Sequence, residues 1–560
     1  MPWPQTYAPL GSIGASALVA AIPIAVLMVL LAFWHVRAHL AAGIALLAAG
    51  LIAVLVYGMP ARLAVAAAGY GAAFGLLPIG WLVVNAIFIY QLSVETGQFV
   101  VLQRQIAGVS RDRRIQALMI AFAFGAFIEG AAGFGAPVAI SGGLMIGLGF
   151  KPLEAAKLAL IGNTAPVAFG SLGIPLVTMA PLTGLDLHQL SAMVGRQLPL
   201  FSLIVPCWLV ASQVGWRRML DVWPACLTAG GTFAIMQFVM SNVHGPWLVD
   251  IVSAAVAMVS LVALMQFWKP AEEMVNATPD VPAAVEATPA ATGPAWKAWL
   301  PWLFLTGFVF LWGMNPVKNQ LNAWFAPQIP VPALNLAIQR MPPVVPVPTL
   351  QKTIFSLNLL SPTGTPLLLA GIASALSLGV GFRRALRIYG QTWLRVRISL
   401  LTISAMMALG FMTRYGGTDT TMGLAMAGTG WLFPFFSPII GWLGVALTGS
   451  DTASNVLFGN LQKVSAEQLG FSPVLMCAAN SSGGVMGKMI DAQSIVVAAV
   501  ATGGRADSPD AGTVLRAVFW HSIALAALVG LLVYAQAKIY PFTEMVVRDG
   551  VASTPSPGRP

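Results

Sequence analysis

The sequence predicts an all-α polytopic membrane protein of about 12–14 transmembrane segments. It predicts two related halves, forming an inverted repeat with interrupted helices or re-entrant hairpins. Three observations carry this: an extreme composition, continuous apolar runs of helix length, and one ordered set of motifs that occurs twice.

Of 560 residues, 58% are hydrophobic and only 9% charged. A soluble chain carries about 25% charged residues, so most of this one must sit in lipid or in protein at membrane depth. A spanning helix needs about 20 apolar residues. The clearest runs extend from Ile13 to Trp34, Leu40 to Tyr57, Val222 to Met240, Trp247 to Trp268, Leu300 to Met314, Ile398 to Met412 and Val514 to Ala535. They are continuous rather than alternating, which excludes a β-barrel. The first 34 residues contain no Lys or Arg, so the first run reads as a retained span and not a cleaved signal peptide.

The net charge of +10 comes from 29 Lys+Arg against 19 Asp+Glu. The basic residues gather in short loops: Arg104, Arg111, Arg113 and Arg114; Arg217 and Arg218; and Arg383, Arg384, Arg387, Arg395 and Arg397. This is the cytoplasmic-loop signature of a membrane protein, and it removes the nucleic-acid reading of the charge. With all three clusters inside, the N-terminus lies outside after three spans. The segment following Trp268 then lies inside, and the Pro-rich loop after Met314 lies outside.

A stretch rich in Ala, Pro, Thr and Glu, Pro270 to Pro294, reads as a flexible connector. It separates an N-terminal transmembrane half (1–268) from a C-terminal one (297–560), with 269–296 as the cytoplasmic linker. LGFKP (Leu148 to Pro152) has a counterpart in LGFSP (Leu469 to Pro473). Upstream lie EGAAGFGAP (Glu129 to Pro137) and GSDTASN (Gly449 to Asn455). Downstream lie NTAPVAFGSLGIP (Asn163 to Pro175) and NSSGGVMGKM (Asn480 to Met489). Corresponding Gly/Pro-interrupted segments in two halves point to a transporter's binding site. Every backbone polar group must be paired in hydrocarbon, so a broken helix is tolerated only within protein or beside a water-filled cavity. A half-helix N-terminus there offers partial positive charge to an anion.

These segments contain the candidate residues. Glu129 follows an apolar run. Burial without a counter-charge favours the neutral acid, as a proton carrier requires; the competing reading is a structural or capping carboxylate. Asp451, with Ser450, Thr452, Ser454 and Asn455, reads as a polar hairpin tip that carries a proton or holds a basic partner, against an external loop of turn formers. Lys488 is a counter-charge for a substrate carboxylate, or a structural partner of Asp491 or Asp451. Arg196 is the rival cation, suited to bidentate carboxylate binding but placed near a loop. Asn163, Thr164, Asn480, Ser481, Ser482 and Gln493 are candidate substrate ligands. Gly130, Gly133, Gly135, Gly483, Gly484 and Gly487 allow backbone approach or close helix packing. The five histidines show no ligand spacing; His521, inside an apolar helix, reads as a pH sensor or, more commonly for such a residue, as a satisfied core histidine. Cys207, Cys226 and Cys477 read as buried free thiols. No metal site and no cofactor are expected. No nucleophile–base set supports a membrane-embedded enzyme.

The motifs EGAAGFGAPVAI, NTAPVAFG, MVGRQLP, TGSDTASN, GKMI followed by QS, MPPVV and FSPIIGWLGV resemble those of the bacterial lactate permease family. The resemblance runs from about Tyr7 to the last span, with the linker and the tail after Pro541 excepted. It implies an inner-membrane carrier that takes up L-lactate with a proton, with D-lactate and glycolate as further substrates. It also implies membership of a wider group of ion transporters with inverted repeats. The shared motifs retain Glu129, Arg196, Asp451 and Lys488. The chain departs from the family pattern at TRYGGTDTT, where Arg414 and Asp419 are read as a local pair, and at Asp491. Carriage of a different small organic anion is the alternative. The sequence leaves homo-oligomer formation open.

Overall fold

The structure is a computed structural model that describes residues 2–32, 34, 36–133, 136–275, 294–502 and 511–547. Most of the 269–296 connector, and Gly135, lie outside the described residues. Among those described, ten helices are long and apolar enough to cross a membrane, or twelve if each of two bent pairs is one span.

Three spans open the chain: α1 (Ile13–Leu31), α2 (Ala38–Leu55) and α3 (Ala61–Glu95). Pro78 lacks an N–H, and α3 accommodates it in a π-helical stretch, Gly75–Gly80. The amphipathic α4 (Gln98–Ala107) leads to α5 (Arg113–Ala131). After Gly133 the chain reverses into α6 (Ala136–Gly147). Next come α7 (Pro152–Gly162) and α8 (Val167–Thr183), bent by 62° about the Asn163 break. The first half closes with α9 (Leu187–Val214), α10 (Trp223–Val243) and α11 (Val249–Phe267).

The second half holds α12 (Leu300–Gly313), α13 (Asn315–Trp324), α14 (Gly364–Ser377), α15 (Phe382–Gly416) and α16 (Thr418–Met426). It ends with α17 (Phe433–Thr448), α18 (Asp451–Leu469), α19 (Pro473–Gly487), α20 (Ala492–Ala501) and α21 (Ala511–Lys538). The expectation of helix alone is incomplete. In the Pro-rich loop, β2 (Gln328–Pro330) pairs antiparallel with β5 (Ile354–Ser356). There too, β3 (Ile338–Arg340) pairs parallel with the N-terminal β1 (Trp3–Pro4) and antiparallel with β4 (Thr349–Leu350). Proline denies this loop a helix, and short ladders pair part of its backbone instead.

Contacts sort the loops onto two faces. Arg114 Nη1 donates to the Arg218 carbonyl, and Arg114 Nη2 to the Glu272 carbonyl. Arg384 Nη2 donates to the carbonyl of Glu95, just before α4. The three basic clusters and the start of the connector therefore share one face. The N-terminal strand, the Pro-rich loop and the ends of α15 and α18 lie on the other. There Gln5 donates to the Tyr415 carbonyl and Gln468 to the Pro343 carbonyl.

This sorting reveals two helical hairpins of opposite sense. The first, α5–α6, starts and ends on the basic face: Arg113 Nη2 bonds Glu154 Oε1 at 2.5 Å and its guanidinium stacks over Phe150. The second, α17–α18, starts and ends on the opposite face, tied near its open end by Ser437 donating to Gln462 Oε1 at 2.8 Å. Each is followed by an interrupted helix, α7–α8 and α19–α20. The order hairpin, Gly-Phe turn, broken helix thus occurs twice with inverted orientation. The halves interleave: α2 and α3 pack on α15, α8 on α18, and α9 on α19.

Glycine lets the second repeat close tightly. A Cβ on Gly483 would lie 2.0 Å from the Pro438 carbonyl oxygen, and one on Gly487 2.4 Å from that of Trp442. This spacing of four on one helix face is the small-residue packing used between membrane helices.

Candidate functional site

The hairpin tips and helix breaks meet at a cavity of about 120 Å³ lined by Glu129, Ser171, Ser450, Asp451, Thr452, Lys488 and Gln493, among others. Ligand pockets for drug-sized molecules run to about 300–1,000 Å³, so this one suits a much smaller ligand. A second cavity of about 200 Å³ shares Ile174, Ser450, Thr452 and Gln493 with it. Leu31, Ala38 and Ser399 also line that space. Leu31 and Ala38 lie at the basic-face ends of α1 and α2, and Ser399 just past the charged part of α15, so this second space extends from the site toward that face.

Local sequence builds each wall. Ser450 is the N-cap of α18, accepting from the Ala453 N–H at 3.2 Å. Its hydroxyl ends the second hairpin turn and points the positive end of a 19-residue helix at the cavity. Opposite, Ser171, Leu172 and Gly173 take consecutive left-handed conformations, φ 47°, 60° and 74°. Two of these carry side chains, a strained arrangement that clusters at functional sites. Pro175 then starts the regular part of α8, where its missing N–H costs nothing.

Asp451 is buried and anchored on one side. Its Oδ2 accepts from Ser481 Oγ at 2.5 Å and from Asn455 Nδ2 at 3.3 Å, while Oδ1 has no donor among the described residues. The network continues: Asn480 Nδ2 donates to Asn455 Oδ1 at 2.9 Å, and Gln462 Nε2 to Asn480 Oδ1 at 3.1 Å. Ser454 donates to the Gly441 carbonyl at 3.1 Å, pinning α18 to α17. Lys488 Nζ donates to the Gly449 carbonyl at 2.7 Å and lies 3.2 Å from Asp491 Oδ2.

Glu129 lies near the tip of the first hairpin. Its Oε1 packs under the Gly170 backbone, where a Cβ would fall 2.5 Å away, and among the described residues Oε2 has no donor. Gly133, at φ 49°, lets the turn pass beside Ser171: a Cβ there would strike its hydroxyl at 2.1 Å. Asn163 is buried beside Glu129, and among the described residues neither of its amide atoms is held by a hydrogen bond of ordinary geometry.

Glu129, Ser450, Asp451, Thr452, Lys488 and Gln493 line the cavity. Asn455 and Ser481 form its first support, with Ser454 and Asn480 behind. Ser482 Oγ is buried with no partner among the described residues. Thr164 bonds the Ile161 carbonyl and serves the backbone break. Gly130 packs against Asp250 and Ile251 of α11.

Arg196 is held elsewhere. Nε donates to Asn242 Oδ1 at 3.1 Å and Nη1 to the Met545 carbonyl at 3.0 Å, a loop-edge position outside the cavity. The expected Arg414–Asp419 pair is corrected: Asp419 Oδ2 accepts from Asn460 Nδ2 at 2.9 Å, and Arg414 Nη1 donates to the Pro181 carbonyl. Both are satisfied by neighbours closer than each other. His521 Nδ1 accepts from Trp208 Nε1–H at 2.9 Å. Indole is a donor only, so this nitrogen carries no proton.

Sequence reasoning missed the side-chain role of Ser171, although the GSLGIP break contained it. It also missed Asp250, whose signal was one acidic residue at the start of an apolar run.

Two inverted hairpins whose tips enclose a small charged cavity, in a chain of many spans, define a multi-pass membrane transport protein. A family model described as L-lactate permease matches residues 16–540. The chain belongs to the L-lactate permease family. It is 45% identical to glycolate permease GlcA of Escherichia coli (strain K12), over 97% of this chain and 99% of that protein. It is 42% identical to the L-lactate permease of Salmonella typhimurium, over 96% of this chain and 98% of that protein. Among solved structures, that of the Alcanivorax borkumensis YdaH transporter aligns with TM-score 0.42 and 14% identity, over 83% of this chain and 86% of that one.

Proposed function

We propose that this chain is a secondary active transporter that carries L-lactate, and also D-lactate and glycolate, together with a proton. The observation that carries the reading is the cavity itself. It combines one cation (Lys488), one helix N-terminus and hydroxyl groups, which suit a hydroxy-acid anion, with two carboxyls, Glu129 and Asp451. The relatives named for lactate and for glycolate support a small 2-hydroxy acid.

Electrostatics favours the coupling. Lactate is an anion at neutral pH, given carboxyl pKa values of about 4. Moving one charge across the membrane potential costs about 2.3 kcal/mol per 100 mV. Alone, lactate would be driven out of a cell negative inside; one accompanying proton makes the passage electroneutral. In this reading the substrate carboxylate lies between the Asp451 helix N-terminus and Lys488. Glu129 or Asp451 holds the proton, and the loaded hairpins change which face the cavity meets.

The test is uptake of labelled L-lactate into proteoliposomes under an inward proton gradient, with and without a valinomycin-set potential. Uptake driven by the pH gradient and competed by glycolate is expected. Glu129→Gln is expected to abolish the pH-driven component while leaving expression intact. Wild-type coupling in that variant would remove Glu129 from the mechanism. A second reading keeps glycolate as the main substrate, since glycolate permease GlcA is the more similar of the two relatives compared. The ratio of glycolate to lactate kcat/KM in the same vesicles decides it.

A further inference from the structure

One buried carboxyl near the cavity has no task in the cycle so far. Asp250 lies in the first turn of α11 and is 1% exposed. Among the described residues, neither carboxylate oxygen has a hydrogen-bond donor. A capping role would place a backbone N–H on one of them. Asp250 also stays outside the substrate cavity.

Its surroundings are specific. The side chain lies against Gly130, where a Cβ would fall 2.7 Å from the Asp250 Cβ. Any larger residue at 130 would part α5 from α11. The neighbouring Glu129 is the titratable group that acts on Asp250 electrostatically, and Lys488 and Asp491 act in turn on Glu129. From the end of α10, His244 supplies no cation: burial pushes its ring toward the neutral form, and its Nε2 meets the Phe310 carbonyl at 3.1 Å.

An ionised carboxylate removed from water with no donor is very costly, and such a group is cheapest as the neutral acid. Two carboxyls within electrostatic reach of one another cannot both ionise cheaply. Burying a second one beside Glu129 therefore has an energetic cost that packing does not explain. Its place in the fold supplies a reason. Asp250 follows the 244–248 loop on the face opposite the basic clusters, whereas the space adjoining the substrate cavity extends toward the basic face.

We propose that Asp250 is a second proton-carrying carboxyl of the transport cycle, which exchanges its proton with Glu129 by a route separate from that of the substrate. The proton leaves Asp250 for a Glu129 carboxylate oxygen and the negative charge passes to Asp250. A proton from water on the opposite face then restores the acid. This rests on proton coupling, and deepens it by assigning the side from which Glu129 is loaded.

The test separates proton movement from substrate movement. Wild type, Asp250→Asn and Asp250→Glu are reconstituted, and two quantities are measured: lactate–lactate exchange at equal pH, and net uptake driven by a pH gradient. In Asp250→Asn, net uptake is expected to fall by roughly a hundredfold, the scale of losing a positioned proton-transfer group, while exchange persists. Asp250→Glu is expected to retain net uptake with a displaced pH profile. Unchanged net uptake in Asp250→Asn overturns the inference, and so does equal loss of exchange and net uptake in folded protein. If Asp250→Asn does not fold, an Asp250→Glu pH profile identical to wild type overturns it. Absence of pH-driven uptake in the wild type would instead overturn proton coupling itself.

Discussion

Replacing Lys488 by methionine removes two things at once: the donor to the Gly449 carbonyl and the counter-charge of Asp491. The size of the effect follows from the geometry. Asp491 is fully buried, its Oδ1 accepts from the Ser494 N–H at 2.8 Å, and its Oδ2 faces Lys488 Nζ at 3.2 Å. Breaking such a pair on one side costs about 3–5 kcal/mol, whereas neutralising both sides is close to neutral. The Lys488 side chain retains 11% exposure, which puts the single substitution near the lower end, about 3 kcal/mol. Lys488→Met is therefore expected to melt well below wild type in a thermal-unfolding assay of purified protein. Lys488→Met/Asp491→Asn is expected to recover most of the loss. Transport should not recover with it. A hydrogen bond to a charged group is worth about 1.5–3 kcal/mol, so losing the Lys488 contact to a carboxylate raises the lactate KM by roughly 10- to 150-fold. Equal melting of single and double variants would refute the structural coupling. A wild-type KM in the double variant would refute the substrate contact.

Two further substitutions probe the hairpins. Gly483→Ala places a Cβ 2.0 Å from the Pro438 carbonyl oxygen, and backbone cannot yield as a side chain does. Destabilisation of about 1–3 kcal/mol, seen as a lower melting temperature, is expected, with reduced uptake per folded molecule. Thr452→Cys, in the wall shared by the two cavities, is expected to react with an impermeant maleimide added from the basic face. Lactate should slow that reaction; labelling indifferent to lactate would separate Thr452 from the substrate path.

Much of this architecture is legible in the residues, because membrane constraints are strict. Continuous apolar runs can only be helices in lipid, and Arg clusters order the loops. The paired LGFKP and LGFSP turns mark corresponding points of two repeats. The cavity was legible only as segments. Gly, Ser and Asn in EGAAGFGAP and GSDTASN announce broken backbone, but which side chains converge is set by three-dimensional packing. Arg196 illustrates the limit: a cation beside a glycine in an apolar context reads as a binding residue, yet Asn242 and the Met545 carbonyl hold it at a loop. Asp250 illustrates the converse. It looks like an ordinary first-turn acid of α11, and only the contact with Gly130 brings it to Glu129. The strands of the Pro-rich loop escaped because ladders of two or three residues leave no periodicity to read.

The left-handed turn at Ser171, Leu172 and Gly173 has a thermodynamic consequence. Each non-glycine residue held in that region costs about 1–2 kcal/mol, so Ser171 and Leu172 together hold about 2–4 kcal/mol of conformational energy. Two conformations of a working protein commonly differ by only a few kcal/mol. The turn thus stores as much energy as the whole preference between two such states, and it stores it at the wall a bound anion would touch. It acts as a ballast: whichever arrangement lets these two residues relax gains that amount without any change in the contacts made to the cargo.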